Sequence, residues 1–295
     1  GEGFDVVGVV TQRDKPVGRS RSKTQPPPVK QVALDEGLPV LQPERPRGGD
    51  FIAALRAVAP DISVVVAYGH LLPQDVIDLP PRGTLNIHAS LLPDYRGAAP
   101  IQAAIRDGIE WTGVSIMRMV RKMDAGPVLL QLGTRVNEDE TYGELALRLS
   151  ELGAAALIES LALIEAGGAD EVPQDDALAT YAPKIDRTLA RVDWSRDASI
   201  VSRTIRAYDP RPGAFTTLEG ADVKLFGARP VASSRTGAPG TVVAAGRGAG
   251  ADGGLLVACA EGAVRILQVQ AFGKKRMSGE DWGRGRGVAV GDRFE

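Results

Sequence analysis

Leu85-Asn86-Ile87-His88-Ala89-Ser90-Leu91-Leu92-Pro93, running into Arg96-Gly97-Ala98-Ala99-Pro100, is the stretch around which the rest of the chain can be organised. From Thr84 to Ile87 it is a β-type run, and it gives way to a loop punctuated by proline and glycine. Side chains at i and i+2 of a strand share a face, so the Asn86 amide and the His88 imidazole project together where the strand ends. Open α/β sheets hold ligands at the carboxyl ends of their strands. An amide donor beside a titratable ring at such a place suits chemistry on a carbonyl. One group can face a developing oxyanion while the other moves a proton.

Upstream, residues 4–11 and 62–68 are Val/Ile-rich runs of the kind that form buried parallel strands, and residues 29–36 and 51–58 between them have helical spacing. This alternation predicts an α/β domain with a doubly wound, mostly parallel sheet. Downstream, strands are expected at 113–120 and 127–136. A long helix follows, opened by the capping box Thr141-x-x-Glu144, with Leu145, Leu149, Leu152 and Ala156 on its apolar face and Gly167-Gly168 at its end. Residues 169–187 lack periodicity and read as a linker. Beyond them come a helix at 198–208 and short strands near 214–218, 223–228, 240–244, 255–260 and 263–270. Five short strands with glycine-rich connections predict a small OB-like β-barrel. The expected organisation is a catalytic domain over 1–170, a linker over 171–187 and the barrel over 188–295.

A chain of 295 residues, 43% hydrophobic and 24% charged, accommodates two domains with real cores. No apolar run approaches the roughly 20 residues that span a membrane, and the opening residues do not read as a signal peptide. Cys259 is the single cysteine, which excludes an internal disulfide and a multi-cysteine metal site, and His70 and His88 are the only histidines. A reducing cytoplasm and no metal are expected. Residues 1–186 carry 18 Lys and Arg against 26 Asp and Glu, a net −8, while residues 187–295 carry 17 against 11, a net +6. A basic half joined to an acidic one points to a polyanionic partner for the second half.

A third polar candidate is Asp124, in Met123-Asp124-Ala125-Gly126-Pro127, between two expected strands. An isolated Asp of this kind most often caps a turn. Beside Asn86 and His88 it completes a division of labour for acyl transfer. Asn86 donates to the oxyanion, His88 relays the proton or carries compensating charge, and Asp124 orients His88. Ser90 lacks the G-x-S-x-G setting of a nucleophile and reads as a loop hydrogen-bonding residue.

Asn86 through Pro93, with the Asp124 loop, resembles the signature of the folate-dependent formyltransferases. The continuation Tyr95-Arg96-Gly97-Ala98-Ala99-Pro100-Ile101-Gln102 is most similar to the group that formylates methionyl-tRNA. So are Thr11-Gln12-x-Asp14-Lys15-Pro16-x-Gly18-Arg19, Ala190-Arg191-Val192-Asp193-Trp194-Ser195, Ile205-Arg206-Ala207 and Gly273-Lys274-Lys275-x-Met277-Ser278. The similarity covers almost the whole chain.

The resemblance implies a Rossmann-like formyltransferase domain in which Asn86, His88 and Asp124 are catalytic. It implies 10-formyltetrahydrofolate as the formyl donor, held beside Ser90, Leu91, Leu92 and Pro93, and initiator methionyl-tRNA as the acceptor. Residues 13–30 form a basic loop with six Lys and Arg against one acid, Asp14; Arg19, Arg21 and Lys23 in this loop, and Lys274 and Lys275 in the second domain, would contact the tRNA. The protein would be monomeric. Where relatives have a Thr-Gly-Asp-like sequence after the catalytic aspartate, this chain has Ala125-Gly126-Pro127, and His70 stands where they tend to carry an apolar residue. Relatives also begin with an earlier strand, a glycine-containing loop and a helix, so residues 1–295 alone are expected to be poorly soluble or inactive. Two alternatives remain at this stage: a formyltransferase acting on a sugar nucleotide or purine precursor, and an RNA- or folate-binding protein without catalysis.

Overall fold

The computed structural model describes residues 3–17, 23–232, 237–246, 253–285 and 287–295. In chain order the elements begin with β1 (Val9–Val10), β2 (Lys15–Val17), β3 (Lys23–Gln25), α1 (Pro28–Asp35), β4 (Val40–Leu41), α2 (Gly49–Val58), β5 (Ser63–Val65) and α3 (Gln74–Ile77). Next come β6 (Thr84–His88), β7 (Arg96–Gly97), α4 (Pro100–Asp107), β8 (Trp111–Arg118), β9 (Val128–Arg135) and α5 (Tyr142–Glu165). Then follow β10 (Tyr181–Ala182), α6 (Ala198–Ala207), β11 (Ala214–Leu218), β12 (Ala221–Val231), β13 (Val242–Ala245), β14 (Leu255–Ala258), β15 (Ala263–Ala271), β16 (Met277–Ser278) and α7 (Gly279–Arg284). The chain divides into two compact units. One comprises residues 1–93, 114–132 and 153–179, the other residues 94–113, 133–152 and 180–295.

In the first unit β6 lies between β5 and β8, with β9 beyond. β5 runs parallel to β6 but β8 runs antiparallel to it, so this sheet is mixed where the sequence predicts a mostly parallel one. Apolar runs cannot reveal this, because burial on both faces looks alike in either direction. Leu85 and Ile116 are fully buried across the β6–β8 pair, and α5 approaches so closely that a Cβ on Gly153 would meet Ile87 Cγ2 at 3.0 Å. β6 is therefore held from both neighbours and from one face, which makes it a rigid platform for its last residue.

The expected strands at 4–11 and 62–68 are shorter, at Val9–Val10 and Ser63–Val65. Among the described residues β1 pairs only with β4, and β5 is an edge strand. Val6, Val7, Val64 and Val66 accordingly stay 38–57% exposed. A Val-rich run becomes a full strand only where a neighbour completes its hydrogen bonds. β4 itself has no sequence signal beyond two residues, and it forms because it lies parallel to β1.

The capping box at the start of α5 closes as its sequence predicts. Thr141 N–H donates to Glu144 Oε2 at 2.9 Å, and Glu144 N–H donates to Thr141 Oγ1 at 3.4 Å. Leu145, Leu149 and Ala156 are buried, and the helix stops before Gly167, which takes a left-handed φ of +71°. Residues 169–187 are not structureless: they contain a 3₁₀ turn at Asp176–Leu178 and β10, which pairs parallel with β7.

In the second unit the strands β11, β12, β15, β14 and β13 form an antiparallel sheet in that order, with β16 added to β15. Among the described residues β11 and β13, its outer strands, do not pair with each other. Instead the last residues of the chain bond to both neighbourhoods: Thr217 and Glu295 exchange backbone hydrogen bonds of 3.1 and 3.0 Å, and Phe294 N–H donates to Gly240 O at 2.9 Å. Phe294 stacks between Trp194 and Trp282, with ring centroids 5.7 and 6.3 Å away, so this tail is tied into the core of the sheet-rich region.

Candidate active site

β6 ends at His88, which is 5% exposed, and Asn86 lies two residues earlier on the same face and is half-buried. Asp124 comes from the loop between β8 and β9, and its Oδ2 lies 3.8 Å from His88 Nδ1. That separation is longer than a hydrogen bond, as is common for catalytic pairs without their substrate. Asp124 therefore approaches His88 at the end of β6, and Asn86 lies on the same face of that strand.

Asp124 takes a left-handed backbone (φ +50°), unusual for a residue with a Cβ. Two features hold it there. A Cβ on Gly126 would lie 1.8 Å from Arg118 O, so only glycine lets the loop turn so close to β8. Gln174 Nε2 also donates to Asp124 O at 2.9 Å and to Gly126 O at 2.7 Å, bracketing the turn from the segment the sequence reads as a linker. The same segment is fastened by the Arg118–Glu171 ion pair at 2.7 Å, the Val128–Val172 bridge and an ion pair of Lys122 with Asp176. Gln174 carries no local signal, because its partners are about fifty residues away in the chain.

The loop after β6 is tied by two residues that sequence reasoning also missed. Ser115 Oγ donates to Ser90 O at 2.7 Å and accepts from Leu92 N–H at 3.0 Å, while Gln131 Nε2 donates to Leu92 O at 2.8 Å. Ser90 and Leu92 are 1% and 5% exposed, so a ligand beside residues 90–93 would meet mainly backbone and the half-buried Leu91 and Pro93. Past the end of β5, the neighbour of β6, the Tyr68 hydroxyl is buried without a hydrogen-bond partner among the described residues, and burial raises its pKa. His70 stacks obliquely on Tyr68 at 5.3 Å.

Of the expected tRNA contacts, Arg19 and Arg21 lie outside the described residues. Lys23 begins β3, which pairs antiparallel with β2. Elsewhere in the basic loop, Lys30 is engaged with Asp14 at 2.8 Å. That hydrogen bond, with another from Gln42, holds the Asp14 carboxyl below the usual carboxylate range. Lys274 and Lys275 are exposed on the turn between β15 and β16. No cluster of metal-ligating side chains occurs among the described residues.

The formyl transferase family model matches residues 1–161, and that of the formyl transferase C-terminal domain matches residues 184–287. A methionyl-tRNA formyltransferase of Magnetococcus marinus is 45% identical over 98% of this chain and 90% of its own length. One from Bacillus subtilis is 43% identical over 99% of this chain and 90% of its own length. Among solved structures, HypX from Aquifex aeolicus in complex with tetrahydrofolic acid aligns with a TM-score of 0.67 at 22% identity, over 93% of this chain and 46% of that one. The sugar 3N-formyl transferase WlaRD aligns with a TM-score of 0.61 at 14% identity, over 91% and 88%. The structural likenesses speak for the fold, and the sequence identities for kinship: the chain belongs to the formyl transferase family, in the group of the methionyl-tRNA formyltransferases.

Proposed function

We propose that this chain transfers the formyl group of 10-formyltetrahydrofolate to the α-amino group of methionyl-initiator-tRNA, for translation initiation. The observation that carries the reading is the approach of Asp124 to His88 at the end of β6, with Asn86 on the same face of the strand, in a chain whose relatives are named for this reaction. The folate supplies an activated formyl carbon and a nitrogen leaving group. The amine attacks that carbon, the bond from carbon to the folate nitrogen breaks, and the proton lost by the amine returns to the departing nitrogen. Asn86 donates to the oxygen that becomes negative in between, His88 carries the proton, and Asp124 orients the His88 ring.

The residues fit a folate. A half-buried amide, a buried imidazole and a Tyr68 hydroxyl without a hydrogen-bond partner among the described residues border the carboxyl ends of β5 and β6, where a polar heterocycle would find partners. Residues 90–93 would hold its formyl-bearing end, and no metal is required. In our reading residues 1–170 form the catalytic domain, 171–187 a connecting segment and 188–295 an OB-like barrel that follows tRNA phosphates. Arg19, Arg21, Lys23, Lys274 and Lys275 would contact the tRNA. The protein acts as a cytoplasmic monomer.

The alternative of a sugar-nucleotide acceptor rests on a structural likeness at 14% identity and leaves the net +6 of residues 187–295 without a purpose. A formylation assay decides between the two. Formyl-methionyl-tRNA should form from charged initiator tRNA and the formyl folate, while amino-sugar nucleotides should not be formylated. Binding of tRNA without turnover would overturn the assignment as an enzyme.

A further inference from the structure

The outward face of β11, β12 and β15 carries an aromatic ring that the fold leaves in solvent. Phe272 is 81% exposed. It is not on a loose segment: Lys274 N–H donates to Ala271 O at 3.0 Å, closing a turn over residues 271–274, and Gln270 Nε2 donates to Lys274 O at 2.9 Å. Gly273 has a φ of +72°, as the third position of a type II turn requires, which puts Phe272 at the second position, where proline is the usual preference. The turn itself therefore gives no reason for a large aromatic.

The register indicates what surrounds this ring. Val223 pairs with Ala271 and Lys224 with Gln270, and Phe272 N–H donates to Asp222 O at 3.0 Å, so Phe272 continues the ladder opposite Asp222. Directly opposed residues of antiparallel strands share a face, and Val223 and Leu225 point into the core. Lys224, Gln270 and Phe272 therefore stand together on the outer face. Arg187 covers Phe215 on the same face at 4.3 Å and pairs with Asp222. Lys274 and Lys275 follow the ring two and three positions along the chain and are exposed, and neither has an ion pair among the described residues. Arg276, by contrast, is occupied with Asp209 and with the Phe226 ring at 4.0 Å.

We propose that Phe272 is a stacking platform for an unpaired nucleotide of an RNA, with Lys274 and Lys275 holding the adjacent phosphates. An exposed ring fixed on a hydrogen-bonded turn, with two exposed lysines directly after it, matches the chemistry of single-stranded nucleic acid, whose bases stack on aromatics while its phosphates attract lysines. A base-paired duplex would not offer a free base face. The inference rests on the reading of tRNA as the acceptor, and it adds a contact that ionic attraction does not supply.

The test uses the whole chain with methionine-charged initiator tRNA, reading the binding constant from about 50 to 200 mM salt. Phe272→Ala should weaken binding roughly 5- to 150-fold, the loss expected for one stacked base. The slope against salt should not change, because no phosphate contact is removed. Phe272→Trp should restore affinity. Lys274→Ala and Lys275→Ala should each lower the salt slope by about 0.7–0.9. Wild-type affinity in Phe272→Ala, or a loss that Trp does not restore, overturns the stacking role while leaving the tRNA reading intact. A wild-type chain that binds no tRNA overturns both.

Discussion

His88 and Asn86 occupy adjacent same-face positions on a strand that hydrogen bonds on both edges, so substituting either removes a functional group without disturbing its support. His88→Ala should lower turnover by about 10²–10⁴-fold, the usual contribution of a positioned proton-transfer group. Asn86→Ala should cost about 10²–10³-fold if its amide faces the oxyanion. Steady-state formylation with both substrates saturating checks this. If the His88 variant keeps more than half of the wild-type rate, the catalytic assignment fails. An Asn86 variant altered only in KM for folate would move that residue from catalysis to binding.

Among the elements, the loop carrying Asp124 depends on a partner outside its own strand pair. Gln174→Ala removes two donors from the carbonyls of Asp124 and Gly126 and leaves a left-handed aspartate without its brace. The expected result is a lower kcat with little change in KM for tRNA. A Gln174→Glu variant, which places oxygens against those carbonyls, should not rescue it. Unchanged kcat in Gln174→Ala would mean that the loop holds its shape unaided.

The start of α5 offers a test in pH. Hydrogen bonds from the Thr141 side chain and backbone hold the Glu144 carboxyl below its usual range. A depressed carboxylate contributes stability that is present above its ordinary pKa and is lost as the pH falls through the folded value. Glu144→Gln keeps an acceptor for the cap but cannot titrate. Its melting temperature should therefore fall less than that of the wild type between about pH 7 and pH 3.5. Parallel loss in both proteins would show that the cap carries no pH-linked stability.

At the scale of the molecule, the chain's last residues are part of the core. Phe294 is 1% exposed between two tryptophans, and its neighbour Glu295 bonds to Thr217. Phe294→Ala should destabilise the second unit by about 3–5 kcal/mol, the cost of deleting a buried ring. Chemical denaturation followed by tryptophan fluorescence reads it, and a shift below about 1 kcal/mol would contradict the packing. The basic loop of residues 13–30 makes a second prediction. Arg19→Ala should weaken use of initiator tRNA while leaving folate affinity in place, and equal activity on tRNA would reduce the basic loop to a solvated one.

Local periodicity and turn chemistry were enough to read α5 with its capping box, β6 with Asn86 and His88 on one face, and the strand-rich second half. Each depends on contacts within a few residues, and those leave a mark in the sequence. The motif from Asn86 to Pro93 also carries the resemblance to the family in a single contiguous stretch. Pairing direction, strand length and the braces of the site were decided by the tertiary structure. β8 runs antiparallel to β6, the valines of residues 62–68 form only three residues of strand, and Asp124 meets His88 because Gln174 and Gly126 bend its loop. These outcomes depend on residues tens of positions apart, whose mutual approach is set by packing and by the need to satisfy buried backbone groups, and no local pattern records it.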